Sequence, residues 1–107
     1  MDKWSATERK VARKAFDSAF QKECSQVLSN VKKMAMDASK PPDLWDILRY
    51  LEERLKEVER KYDYRYGVLP YLFARLLNEG WISLEDIAGL DEDKIEHIRT
   101  MAGINSP

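Results

Sequence analysis

An unbroken amphipathic run near the start of the chain limits its fold more than any other feature. Residues 5–8 read Ser-Ala-Thr-Glu. Ser5 can accept from the Glu8 amide while the Glu8 carboxylate reaches back, a capping box that opens a helix. Apolar residues then recur at steps of three and four through Val11, Ala12, Ala15, Phe16, Ala19, Phe20, Cys24, Val27, Leu28, Val31, Met34, Ala35 and Ala38, the period of one continuous helix. Ser39-Lys40-Pro41-Pro42 stops it. Roughly 35 residues at ~1.5 Å each make a helix about 50 Å long. A compact domain of about 100 residues has a radius of gyration of only about 13 Å. The molecule is therefore elongated, or a partner covers what one chain cannot.

Asp43 is a good N-cap for a second helix. Leu44, Leu48, Leu51, Leu55, Val58 and Tyr62 follow at heptad spacing, with Trp45 and Ile47 widening the seam. Glu52–Lys56 and Glu57–Lys61 are i,i+4 pairs expected on the outer face. Two long helices joined by a Pro-Pro turn read as a helical hairpin. Beyond Tyr-Asp-Tyr-Arg-Tyr-Gly at 62–67, Pro70 suits the first turn of a third helix carrying Val68, Leu69, Leu72, Phe73, Leu76 and Leu77. Gly80-Trp81, Gly89-Leu90 and Gly103-Ile104 each pair a glycine with an apolar residue, the pattern of a left-handed C-cap. Ser83 and Asp91 are N-caps between them. The fold class is all-α: a single domain over 1–107, with an elongated helical hairpin stem at about 5–66 and a small helical head at about 67–105. The short head helices depend on packing and caps, so the head is expected to be the less stable part.

Net charge is -1 across 107 residues, which gives no global drive toward nucleic acid or membrane. Residues 1–40 carry a balance of +4 and residues 41–107 a balance of -5. That asymmetry suits antiparallel packing within or between chains, and equally suits two solvated faces of different charge. A lone cysteine, Cys24, cannot form an internal disulfide. A reducing, cytoplasmic setting is expected, and the first residues lack a signal-peptide apolar region.

Chemistry is nearly excluded. One His and one Cys make no zinc set, and no cofactor is implied. His97, between Glu96 and Ile98, reads as a solvated helix histidine. The carboxylates at Glu85, Asp86, Asp91, Glu92, Asp93 and Glu96 stand at caps and first turns, where they complement helix dipoles. Residues 82–99 have the outline of a helix-hairpin-helix element, but Asp91, Glu92 and Asp93 at its hairpin would repel phosphate. Basic residues of the first helix, Arg9, Lys10, Arg13 and Lys14, leave nucleic-acid binding as the weakest option. Surface aromatics remain: Trp4, Trp45, Tyr50, Tyr62, Tyr64, Tyr66, Tyr71 and Trp81. Trp, Tyr and Arg dominate protein-binding hot spots. Tyr62 and Trp81 suit the stem–head junction, whereas Trp45, beside Leu44 and near Leu48, would need a second chain to bury it.

The segments W-S-A-T-E (4–8), A-F-Q-K-E (19–23), D-L-W (43–45), K-Y-D (61–63), F-A-R-L-L-N-E-G (73–80) and D-K-I-E (93–96) stand in an order and spacing that resembles the fluorescence recovery protein family over about residues 4–101. The resemblance implies a helical homodimer and a protein partner, photoactivated orange carotenoid protein, bound chiefly through its C-terminal domain. Binding would speed that protein's return to its orange resting form and end photoprotective quenching, without catalysis. It implies that Leu44 is central to the dimer and that Trp45 and Tyr71 face the partner; the heptad seam extends the expected dimer interface to Leu48, Leu51 and Leu55, and Arg49 and Arg75 are the further expected partner contacts. Better-studied members carry His, Asp and Arg where this chain has Leu48, Arg49 and Leu55. A dimeric helical adaptor with a different protein partner is the second reading.

Overall fold

The computed structural model describes residues 3–104. Four α-helices and one short 3₁₀ turn follow in order: α1 (Ala6–Asp37), α2 (Pro41–Lys61), α3 (Leu69–Glu79), the 3₁₀ turn (Leu84–Ile87) and α4 (Glu92–Ala102). No strand occurs among the described residues. The molecule measures 53 × 29 × 17 Å, with a radius of gyration of 16.9 Å. This is the elongation that the first helix demanded.

Helix α1 opens as its sequence requires. The Ser5 hydroxyl accepts from the Glu8 amide at 3.1 Å, and the Ser5 amide donates to the Glu8 carboxylate at 3.0 Å. At the turn, Pro41 and Pro42 end α1 and also begin α2, where proline lacks only a donor that has no partner in any case. Asp43 is therefore inside the first turn and is not the N-cap. Its carboxylate accepts from the amides of Ser39 at 2.9 Å and Lys40 at 3.1 Å.

The core sits at one end. Ala12, Ala15, Phe16 and Ala19 of α1 meet Leu69, Leu72, Phe73 and Leu76 of α3, Ile87 of the 3₁₀ turn and Ile98 of α4. Each fully buried large side chain among them stabilises by roughly 1.5–3 kcal/mol. Beyond Glu23, α1 buries no residue completely, and α2 buries only Lys61. Burial thus argues against the head being the less stable part. The head shares the densest packing with the first half of α1, while the far end of the hairpin has no core of its own.

The three glycine signals divide. Gly80 and Gly103 have φ of 83° and 73° and end α3 and α4 in the left-handed conformation. The amide of Trp81 reaches the Leu76 carbonyl, and that of Ile104 the Arg99 carbonyl, both at 2.9 Å, which closes each cap. Gly89 is different, since its φ is not positive. A Cβ there would lie 2.5 Å from Val11 Cγ2. Glycine is needed at 89 because the head presses against α1, and not because of a left-handed cap. The sequence pattern cannot separate these two causes. The proposed end of the head at 105 lies outside the described residues.

Candidate functional site

The hairpin packs through a different stripe from the leucine seam. Asp43, Ile47, Tyr50, Arg54 and Val58 are half-buried and Lys61 is buried, at steps of 4, 3, 4, 4 and 3. This is the face of α2 that meets α1, and Tyr50 Oη accepts from Asn30 Nδ2 at 2.8 Å across the gap. Ile47 belongs to this stripe and not to the outward seam. Leu44, Leu48, Leu51 and Leu55 lie on the adjoining face and stay exposed, at 57, 47, 40 and 57%. Phe20, Cys24, Val27, Leu51, Leu55 and Val58 line an apolar groove beside them. Burial raises the Cys24 thiol pKa, and the Glu23 charge raises it further, so the thiol is held protonated and unreactive.

The four candidate contact residues fall into two groups. Trp45 is 54% exposed, and Arg49 is exposed and paired with Asp46 one turn back. Tyr71 is 61% exposed, with its ring edge-on to His97 at 6.3 Å between centroids. Arg75 donates to Glu79 at 2.7 Å and approaches Glu57 of α2 at 3.4 Å. Trp45 is 12 residues from Glu57, about 18 Å along the helix. One patch therefore lies toward the turn of the hairpin and the other at its base. Trp4 and Tyr50 leave the surface set. Trp4 is buried against Tyr66 and beneath Lys94, and Tyr50 is half-buried between the helices. Tyr62 and Trp81 do sit at the junction, packed against the core.

Two buried ion clusters were not anticipated. Lys61, whose side chain is 1% exposed, donates to Glu23 at 2.6 Å and to Glu79. Tyr62 Oη donates to the same Glu23 oxygen at 2.7 Å. Burial, then the hydrogen bond to the Glu23 carboxylate, pushes the Tyr62 phenol far up. Burial alone would raise Glu79, but hydrogen bonds from Lys61 and Arg75 outweigh it and hold its pKa below the usual value. Glu57 consequently pairs with Arg54 and Arg75, and not with Lys61 as helix spacing had predicted. The available signal was the α1-facing stripe on α2, which runs into Lys61. The second cluster joins the chain's two ends. Glu8 accepts from the Asp91 amide at 2.9 Å and from Lys94 at 3.1 Å. Burial would raise Glu8, yet the amides of Asp91 and Ser5 and the Lys94 ammonium bring it down to about 2.

Among the described residues no group of His, Cys, Asp and Glu could hold a metal ion, and no helix is long and apolar enough to cross a membrane. What the geometry offers is an apolar face flanked by exposed aromatic and basic side chains. The family model described as photoprotection regulator fluorescence recovery protein matches residues 4–102. The chain belongs to the fluorescence recovery protein family. It is 33% identical over 99 residues to the fluorescence recovery protein of Synechocystis sp. strain PCC 6803, covering 92% of this chain and 91% of that one. The solved structure of the Fremyella diplosiphon fluorescence recovery protein superposes with a TM-score of 0.89 at 35% identity, over 94% of this chain and 99% of that chain. The Synechocystis structure superposes at 0.90 and 33% identity, over the same shares. The family is a photoprotection regulator, and the expected all-α fold is that of its solved members.

Proposed function

We propose that this protein is a dimeric regulator that binds photoactivated orange carotenoid protein and accelerates its return to the orange form. The observation that carries the reading is a family match along nearly the whole chain, joined to a leucine face that the described residues leave exposed. Each of Leu44, Leu48, Leu51 and Leu55 would gain about 1 kcal/mol from burying its exposed half, and a second copy offers the matching apolar face. Trp45 and Arg49 on α2, with Tyr71 and Arg75 on α3, are the proposed partner contacts, directed at the partner's C-terminal domain. A regulator of this kind makes and breaks no bond. It acts by binding one conformation of its partner, or the barrier leading to it, more tightly than the other, so we read the protein as a non-enzyme.

The test is the dark recovery of illuminated orange carotenoid protein, followed by absorbance. The adaptor reading is favoured by one observation: Arg49 is exposed, so whatever docks there meets a cation. The variant Arg49→Asp, which leaves the leucine seam intact, separates the readings. Recovery faster with the variant than with the native chain means that the partner is right and this position limits affinity. No effect from either, with the dimer intact, assigns the surface to another protein.

A further inference from the structure

The two contact patches stand on different helices, α2 and α3, joined by the non-helical segment 62–68. A partner that reads both patches requires a fixed angle between those helices. Lys61 is the last residue of α2 and Glu79 the last of α3, and the two are bonded directly. The same ammonium holds Glu23 of α1 at 2.6 Å. Glu79 is also bonded by Arg75 at 2.7 Å and by Trp81 Nε1 at 3.2 Å. One buried cation therefore ties three helices at the point where stem and head diverge, and its carboxylate partner orients Arg75 directly.

From this geometry we infer that Lys61 is a positioning residue for partner recognition: through Glu79 it fixes the angle between α2 and α3, and so the spacing of Trp45 and Arg49 from Tyr71 and Arg75. This inference rests on the proposed two-patch contact. A buried cation also suits an orienting role better than an adhesive one. Apolar replacement of a buried ion pair is often neutral for stability, whereas an ion cluster tolerates few relative placements of its members.

The test replaces Lys61 without stranding a charge. Lys61→Met alone leaves Glu23 buried without its cation and can unfold the chain. The double variant Lys61→Met with Glu23→Gln removes both charges and leaves the Arg75–Glu79 bond in place. Spin labels at Glu52→Cys and Asn78→Cys, in a Cys24→Ala background diluted with unlabelled chain, report the α2–α3 distance. The inference predicts native helix content and an unchanged oligomeric state, a broadened distance distribution, and affinity for orange carotenoid protein reduced about three- to tenfold. That loss corresponds to a binding-competent orientation occupied in about a tenth to a third of molecules. A distribution as narrow as in the native protein overturns the inference, as does broadening with unchanged affinity. If the native chain itself does not bind the carotenoid protein, the partner reading fails and the recognition role fails with it. The distance measurement still decides whether Lys61 sets the angle.

Discussion

Replacing Gly89 with alanine should destabilise the protein through a single contact, and removing that contact should rescue it. The new Cβ would lie 2.5 Å from Val11 Cγ2, against about 3.5–4.0 Å for carbon atoms at optimal separation. Val11 is half-buried on a helix, where a β-branched side chain has essentially one χ1 rotamer, so the chain must shift by about 1 Å. Overpacking of this kind costs about 1–3 kcal/mol. Reduced freedom of the unfolded chain returns about 0.4–1 kcal/mol, because φ at Gly89 is not left-handed. The expected net cost is about 1–2 kcal/mol. In a Val11→Ala background Cγ2 is gone, and Gly89→Ala should become neutral or slightly stabilising, a coupling of about 1–2 kcal/mol in a double-mutant cycle. Urea unfolding followed by circular dichroism at fixed protomer concentration measures it. An equal cost of Gly89→Ala in both backgrounds would refute the close-approach argument, as would a neutral effect in the native chain. Gly80 is the control, since nothing lies within 4 Å of its missing Cβ and its substitution should cost about 1–2 kcal/mol for the left-handed backbone alone, whatever its neighbours.

Glu8 should make stability acid-sensitive. Its folded pKa of about 2 lies below its ordinary value of 4.5, so its contribution is complete above about pH 4.5 and is lost as pH falls toward 2. Glu8→Gln should cost about 3–5 kcal/mol near neutrality by leaving Lys94 buried without its carboxylate; thermal melts across pH should show the gap from native closing in that acid window, and a pH-independent gap would contradict the ionic role. Leu44→Glu should leave helix content unchanged, since Leu44 is exposed in the single chain, while light scattering shows monomers; a native protein that is monomeric at micromolar concentration would remove the dimer from the account.

Legibility of the fold followed the range of the interactions involved. Local rules located α1, its capping box, the Pro-Pro turn and the caps at Gly80 and Gly103, because each depends on residues within a few positions. The reading of Gly89 went wrong because the cause lies at Val11, 78 positions away in sequence. Lys61 was misplaced for a similar reason. Spacing alone offered it Glu57, whereas the tertiary fold brings Glu23 and Glu79 to it. Burial also runs against the expected order of stability, because propensity favours a long helix while burial favours the end where four elements meet. The leucine seam was visible as a pattern, and its exposure in the single chain is what the structure adds. Trp45 could be placed on the outside of α2 from the sequence, but its distance from Tyr71 and Arg75 depends on a junction that no periodicity describes.

Regulation of photoactivated orange carotenoid protein by binding is what we propose for this chain. The most direct measurement illuminates orange carotenoid protein to its red form, adds this protein in the dark and follows the return of the orange absorbance over time. Recovery should accelerate with concentration and saturate, and Trp45→Ala, which removes an exposed aromatic without touching the core, should require more than tenfold higher concentration for the same effect, as for an interface hot spot worth at least about 2 kcal/mol. A recovery rate unchanged at saturating concentrations of an intact dimer would contradict it.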